Sequence, residues 1–583
     1  SEMCIRDSAI TVTGGKTVSI TQTADTAPGD LQYHGEVFVY GSALTTEVTV
    51  KAETPFSDGS SDLLAKGVTI EDATAGINTP GTIAKVTIDG YDAAKFSGTA
   101  LTTLSLSHGL GDVFIDNSGL LSPTNKTLDL AINDLQIYNL NGTNQGVISD
   151  TGVYTTLNIT TGAIASEVAD LAFGTVTALT VKGDSALKLV SADGLSALET
   201  LTISGAAGVN GVFFSAALTS VSTAASTGAN TLTFDGSKAS FIGGAGVDTI
   251  TLSGASVSKS ISLGGGDDRL ILTSATSVDN TAVFDGGAGT DTVEMSSALA
   301  VGYTGPTFVD FETLVLVNTG SKTVTASTFT DFKTITVSGT GTVTLNGVPS
   351  STGLTTVTAI DAAGLSGDYT RNATLTLIDA SGTSGDNTLT IDGSLTAFKG
   401  GEGVDTVSVG PTAITHAISL GNGDDRLVMT NATSLTAALD GGAGTDTLVL
   451  KTAFLSSPPS QPFDITNFEI LELANATTTI LDLSTFDQFQ SLKFTGAGTL
   501  NISATHASVT SIDASAMTAA NFAVTVGAST APIAVKGMTT GGNDLDAFMA
   551  TGPITYTGGA GNDFINNLND GAHVIDLGSG GAD

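Results

Sequence analysis

Polar and apolar residues alternate along most of the chain in short runs. Ile10-Thr11-Val12-Thr13, Val18-Ser19-Ile20-Thr21, Ala84-Lys85-Val86-Thr87-Ile88, Leu101-Thr102-Thr103-Leu104-Ser105-Leu106 and Leu179-Thr180-Val181-Lys182-Gly183 are typical. A period of two sends alternate side chains to opposite faces of a strand, and the β-branched content of these runs favours strand over helix. Breaks fall at Gly14-Gly15 and Pro28-Gly29-Asp30, as turn chemistry requires. Only residues 165–173 suggest a helix. The pattern predicts an all-β protein.

Between 241 and 295 the breaks acquire a stricter form. Gly243-Gly244-Ala245-Gly246-Val247-Asp248, Leu263-Gly264-Gly265-Gly266-Asp267-Asp268 and Gly286-Gly287-Ala288-Gly289-Thr290-Asp291 each lead into an alternating strand such as Asp248-Thr249-Ile250-Thr251-Leu252, whose Ile250 and Leu252 are predicted to point inward. This is the glycine-rich nonapeptide pattern of calcium-binding parallel β-solenoids. Glycine lets the backbone curl until its carbonyl oxygens converge, and aspartate adds the hard anionic oxygen that Ca²⁺ prefers. One turn supplies about half a calcium shell, so spacing matters. The aspartates at 248, 268 and 291 lie 20 and 23 residues apart, which stacks the three turns on one edge of a coil and leaves the opposite edge, 253–260, without metal.

The block recurs. Gly400-Gly401-Glu402-Gly403-Val404-Asp405 lies in a ten-residue stretch that matches the first at seven of ten positions, 157 residues further on. Gly421-Asn422-Gly423-Asp424-Asp425 and Gly441-Gly442-Ala443-Gly444-Thr445-Asp446 follow, and a third copy begins at Gly558-Gly559-Ala560-Gly561-Asn562-Asp563. The intervening sequence repeats as well: Phe329, Phe332, Ile335, Val337, Gly339, Gly341, Val343 and Leu345 correspond to Phe486, Phe489, Leu492, Phe494, Gly496, Gly498, Leu500 and Ile502, and Ile360-Asp361-Ala362 to Ile512-Asp513-Ala514. Such repetition in 583 residues favours one long solenoid over a set of globular cores.

The expected organisation is a non-native scar at 1–8, a β-rich region at 9–75 that is either a small β-sandwich or the first coils, and an uncalcified solenoid at 76–228. Calcium repeats follow at 229–385 and 386–540, and an incomplete third repeat at 541–583 ends at Gly578-Ser579-Gly580-Gly581-Ala582-Asp583, as a fragment would. Residues 456–462 read as a protruding loop.

The seven glycine and aspartate turns resemble those of repeats-in-toxin (RTX) proteins. The arrangement of Thr/Ala/Gly-rich strands around them, with patterns such as Thr87-Ile88-Asp89-Gly90-Tyr91 and Phe311-Glu312-Thr313-Leu314, is similar to RTX-type bacterial surface-layer proteins. The resemblance implies type I secretion, folding on meeting extracellular calcium, and self-association into a coat on the bacterial cell surface, with a surface polysaccharide as candidate anchor. The turns here are not in tandem nonapeptides, a departure from the two-sided β-roll.

Charge agrees with a cation partner. Fifty-seven acidic residues face 20 basic ones, for a net charge of −37. No basic patch invites nucleic acid or an anionic membrane, and no apolar run approaches the roughly 18 residues of a spanning helix. The single cysteine, Cys4, precludes an internal disulfide, which leaves stapling to metal. Gly15-Lys16-Thr17 lacks the leading glycine of a phosphate loop. The five histidines are scattered outside any metallohydrolase or nucleophile motif, and a chain with no tryptophan and 5% aromatics offers little to stack a sugar ring. An enzyme is therefore not expected. The expected role is structural, with the stalk of a large adhesin or exported enzyme as the alternative.

Overall fold

The computed structural model describes residues 9–23, 35–53, 67–72, 81–118, 125–136 and 139–579, apart from 141–142, 145, 306, 347–352, 361, 363, 371, 411–412, 431, 456–463 and 476–478. The scar at 1–8, the break at 28–30, Asp361, the loop at 456–462 and the last four residues lie outside them. The protein is nearly all β, 53% strand and 2% helix, and forms a parallel β-solenoid of about 21 turns.

Two units can be distinguished: Ser1–Met295 with Thr304–Glu312, and Ser296–Tyr303 with Thr313–Asp583. In the first, the chain alternates between two parallel sheets, one receiving Ile10–Thr13, Val37–Tyr40, Val68–Glu71 and Ala94–Ser97, the other Thr17–Thr23, Glu47–Glu53 and Lys85–Tyr91. Ile10 pairs with Val37 and Val37 with Val68 in parallel register, so the described strands between residues 9 and 72 are coils of the solenoid and not a sandwich. A sandwich needs strands that turn back on themselves, whereas here each strand meets its counterpart one coil later. Residues 165–173, where a helix is suggested by sequence, contain the strand Ser166–Ala172. Val168 and Leu171 are buried there, with Val168 against Leu189 of the next coil, and packing between neighbouring coils overrides the weak local preference.

In the second unit a sheet holding Thr313–Thr319 through Ile465–Thr466 faces a thirteen-stranded sheet that starts at Lys322–Thr325; a five-stranded sheet starting at Thr479–Leu483 then takes over opposite the thirteen-stranded one. Short helices, Ser297–Ala300 and Thr452–Leu455, follow the last glycine turn of each block. The sequence pattern gives no sign of them, because four residues are too few to show a helical period.

The core is a set of files along the coil axis. Leu232, Ile250, Leu270 and Val293 occupy one register position in successive coils, each 0% exposed. Leu389, Val407, Leu427, Leu448 and Leu471 form the equivalent file in the second unit. Burying each such side chain contributes about 1.5–3 kcal/mol, and every coil relies on its neighbours for that burial.

Close coil stacking should make some glycines irreplaceable. Gly289 has φ +147° and a Cβ on it would lie 1.9 Å from the Gly266 carbonyl oxygen, whereas Gly302, at φ +67°, would meet nothing within 4 Å. Gly302→Ala should cost only the left-handed strain, about 1–2 kcal/mol. Gly289→Ala should lower the melting temperature well beyond that, and equal melting shifts by circular dichroism would contradict this stacking.

Candidate metal centre

The glycine turns join strands of opposite sheets. Ser240–Ile242 leads into the first and Asp248–Ser253 leaves it; Ile261–Ser262 and Arg269–Leu272 flank the second, Phe284–Asp285 and Thr292–Ser296 the third. The turns stack through main-chain hydrogen bonds. Gly265 N donates to Gly244 O at 2.7 Å, Ala288 N to Gly264 O at 2.8 Å, Asn422 N to Gly401 O at 2.7 Å and Ala443 N to Gly421 O at 2.8 Å. Positive φ at Gly266 (+129°) and Gly423 (+136°) bends the backbone into these contacts, a conformation a side chain would oppose.

Stacking lines up the aspartates. Asp248, Asp291, Asp405 and Asp446 are 0% exposed, Asp268 and Asp425 1%. Oδ1 of Asp268 accepts the main-chain N–H of Asp248 at 2.6 Å, and Oδ1 of Asp291 that of Asp268 at 2.8 Å. The second block repeats this, Asp405 N to Asp425 at 2.7 Å and Asp425 N to Asp446 at 2.8 Å. A ladder of carboxylates thus runs up each block.

Residues that a search for glycines overlooks extend the ladder. Asn230 donates its side-chain amide to Asp248 Oδ1 at 2.8 Å and accepts from Val209 N; Asn387 does likewise for Asp405 and Leu365, and Asn543 donates to Asp563 at 2.8 Å. At the other end Glu312 accepts from Asp291 N at 2.9 Å and Glu469 from Asp446 N at 2.8 Å. The signal was present in Asn230-Thr231-Leu232, Asn387-Thr388-Leu389 and Glu312-Thr313-Leu314, which share the strand pattern of Asp248-Thr249-Ile250.

The ladder satisfies one oxygen of each carboxylate. Oδ2 of Asp268, Asp291, Asp405, Asp425 and Asp446 is buried with no hydrogen-bond partner. At the block's start Asp248 Oδ2 accepts from Thr223 Oγ1 at 2.8 Å, and in the third copy Asp563 Oδ2 accepts from the Tyr556 hydroxyl at 3.1 Å and Gly559 N at 3.2 Å. Asp267 and Asp424 are exposed, and their Oδ1 atoms accept from Thr290 N and Thr445 N, each at 2.8 Å. They brace the next turn's backbone.

An unpartnered buried carboxylate oxygen demands a proton or a cation. Burial, followed by repulsion from Asp248, Asp291 and Asp267, pushes Asp268 up to about 7, and burial with Asp405, Asp446 and Asp424 does the same to Asp425. Burial raises Asp405 and Asp446 to about 6, and Asp248 and Asp291 also rise, burial being the leading cause.

The residues present fit a hard divalent cation. A Cβ on Gly400 would lie 2.6 Å from Asp405 Oδ2 and 1.8 Å from the Leu420 carbonyl oxygen. A Cβ on Gly286 would lie 2.9 Å from Asp291 Oδ2 and 2.2 Å from the Asp310 carbonyl oxygen. The missing side chains leave an anionic oxygen and a carbonyl of the next coil facing the same space, a donor set suited to Ca²⁺. Among the described residues no three acidic, histidine or cysteine side chains gather on one point, so a cation here would rely on main-chain carbonyls from Gly243, Gly244, Gly246, Gly264, Gly266, Gly286, Gly287, Gly289 and their counterparts Gly400, Gly401, Gly403, Gly421, Gly423, Gly441, Gly442 and Gly444. Gly558, Gly559 and Gly561 form the third turn, whose carboxylate is already satisfied.

Metal-free stability should fall as pH rises. Folded pKa values near 7 exceed the unfolded 3.8, so the folded state holds extra protons in between; the associated stability is complete below about 4 and lost on passing 7. In chelator the protein should melt higher at pH 5 than at pH 8, and Asp425→Asn, which keeps the ladder acceptor, should flatten that slope. Differential scanning fluorimetry showing a flat or rising profile would refute the assignment. With calcium, Asp268→Ala should cost more thermal stability than Asp248→Ala, because Asp268 is flanked by carboxylates on both sides and has the unpartnered oxygen; equal losses would mean that calcium is not held at this level.

No family model matches the chain and no curated protein matches it, so the chemistry of the turns rests on their own residues.

Proposed function

We propose that the chain is a calcium-stabilised structural solenoid of a bacterial surface layer, exported in the manner of RTX-type proteins and acting outside the cell without catalysis. The observation that carries this reading is the recurrence of buried, unpartnered carboxylate oxygens on stacked glycine turns in two successive blocks. A ligand that binds the folded state alone adds RT ln(1 + [Ca²⁺]/Kd), about 4 kcal/mol per site at a thousandfold excess. Several such sites along one coil stiffen a scaffold, which is what a coat exposed to millimolar calcium uses.

The remaining surface suits the same role. Outward strand positions are mostly threonine, serine and asparagine, as in Thr200-Leu201-Thr202 and Thr334-Ile335-Thr336, and a net charge of −37 keeps unassembled chains apart until cations screen it. Among the described residues no helix is long and apolar enough to cross a membrane. Self-association, with a surface polysaccharide as anchor, is the partnership this surface would serve.

Two measurements test the proposal. Circular dichroism and melting in calcium and in chelator should show loss of β signal or a large fall in melting temperature on metal removal; no change in either would reject the calcium role. Electron microscopy of purified protein in millimolar calcium should reveal regular two-dimensional arrays. Calcium-dependent folding with only dispersed particles would favour the stalk of an adhesin instead.

A further inference from the structure

Asp248, Asp405 and Asp563 are the first aspartates of the three copies, and each accepts at Oδ1 the amide of an asparagine one coil earlier, Asn230, Asn387 or Asn543, at 2.8 Å. Their second oxygens differ. Asp248 Oδ2 accepts from the Thr223 hydroxyl at 2.8 Å and Asp563 Oδ2 from the Tyr556 hydroxyl at 3.1 Å. Asp405 Oδ2 is buried with no hydrogen-bond partner. Two side chains account for this. The residue 157 positions after Thr223 is Ala380, and the place two before the glycines, Tyr556 in the third copy, is held by Phe398 in the second. Neither side chain can donate a hydrogen bond.

The frame around the first two of these aspartates is otherwise the same. Ala245 N donates to Ser226 O at 3.0 Å as Glu402 N does to Thr383 O at 2.8 Å, and Gly243 N donates to Ser262 O at 2.7 Å as Gly400 N does to Ser419 O at 2.8 Å. Thr223 and Ala380 are both fully buried, so bulk water does not reach the place of the hydroxyl. The Thr383 hydroxyl is engaged elsewhere, donating to Ala380 O at 2.8 Å and accepting from Asn387 Nδ2 at 2.9 Å. The Gly401 N–H favours the charged form of Asp405 but makes no hydrogen bond to Oδ2.

A second observation shows where the free oxygen points. A Cβ added to Gly400 would lie 2.6 Å from Asp405 Oδ2 and 1.8 Å from the Leu420 carbonyl oxygen, whereas at Gly243 the three atoms nearest an added Cβ, out to 3.0 Å, all belong to Leu263. In the second block a carboxylate oxygen and a carbonyl oxygen of the next coil face one space; in the first the carboxylate is held back by Thr223.

We propose that the second block holds a calcium ion on Asp405 Oδ2 at its first turn, an ion that the Thr223 hydroxyl replaces at the first turn of the first block. The inference rests on the reading that the glycine turns bind calcium, and it names what decides whether a given turn takes an ion: a hydroxyl donor on the coil before it or its absence. A buried carboxylate oxygen without a donor needs a counter-charge, and a donor set of carboxylate and carbonyl oxygens fits calcium better than a transition metal. The carboxylates left for a cation are then Asp268 and Asp291 in the first block and Asp405, Asp425 and Asp446 in the second. Calcium loading begins at the second turn of one block and at the first turn of the other.

Reciprocal substitution in the 583-residue chain tests this with calcium alone as probe. Ala380→Thr should supply the missing hydroxyl, lower the calcium stoichiometry in equilibrium dialysis by about one ion per chain and raise the melting temperature in chelator. Thr223→Ala should do the reverse, gaining about one ion and melting lower in chelator. Unchanged stoichiometry in either variant, with wild-type circular dichroism and against a wild type that binds calcium, would overturn this inference while leaving the glycine turns as calcium sites. A wild type that binds no calcium would overturn both. If Ala380→Thr does not fold, Thr223→Ala decides alone, and no gain of an ion overturns the inference.

Discussion

One hydrogen bond, repeated, organises the two blocks of glycine turns: the carboxylate at the head of one strand accepts the main-chain N–H of the corresponding residue one coil earlier. It fixes the register of successive coils at the edge where the chain passes between sheets, and the buried aliphatic files follow from that register. A slip of one residue would turn Leu270 or Leu427 outward and, in one direction, bring Arg269 or Arg426 into the core position. The same bond keeps aspartate buried at these heads, since it satisfies one oxygen and leaves the other for a counter-charge.

The ends of each ladder show how the charge is confined. Asn230 and Asn387 begin it with an amide that both accepts from the coil before and donates to the first aspartate. Glu312 and Glu469 finish it on turns that have lost their glycines. Each ladder is therefore joined to the coils on either side by hydrogen bonds to main-chain N–H groups. Elsewhere ordinary polar contacts serve the same register, as where Asn158 donates to Asp129 and Ser166 accepts from Leu135 N, which is why the stretch before the first block coils in the same way without a metal motif.

In the second unit the turns change edge. The turns of Asp405, Asp425 and Asp446 lead into strands of the thirteen-stranded sheet, such as Thr406–Val409, whereas the third turn carries the chain out of that sheet, from Ile554–Thr557 to Asp563–Asn566. All strands of the sheet run parallel, so its entering and leaving ends are opposite edges. Within a block the glycine turns share one edge; between these two blocks they do not.

The period-two alternation, the glycine and aspartate spacing and the repeat of 157 residues were enough to specify a parallel solenoid and to find the aspartates that its turns bury, because each depends on local geometry that recurs with every coil. Other features were decided only by contacts between coils: that the described strands between 9 and 72 are coils, that 166–172 is a strand, that Asn230 and Glu312 complete a ladder, that Asp563 is already satisfied by Tyr556, and that the turns of the second and third blocks lie at opposite edges. A carboxylate's partner one coil away lies some twenty residues off in sequence, at a distance set by loop length as much as by motif. Whether its second oxygen meets a hydroxyl, an amide or nothing is therefore a property of the stacked structure, and that difference separates a turn whose carboxylate is satisfied by the protein from one that leaves a buried oxygen without a partner.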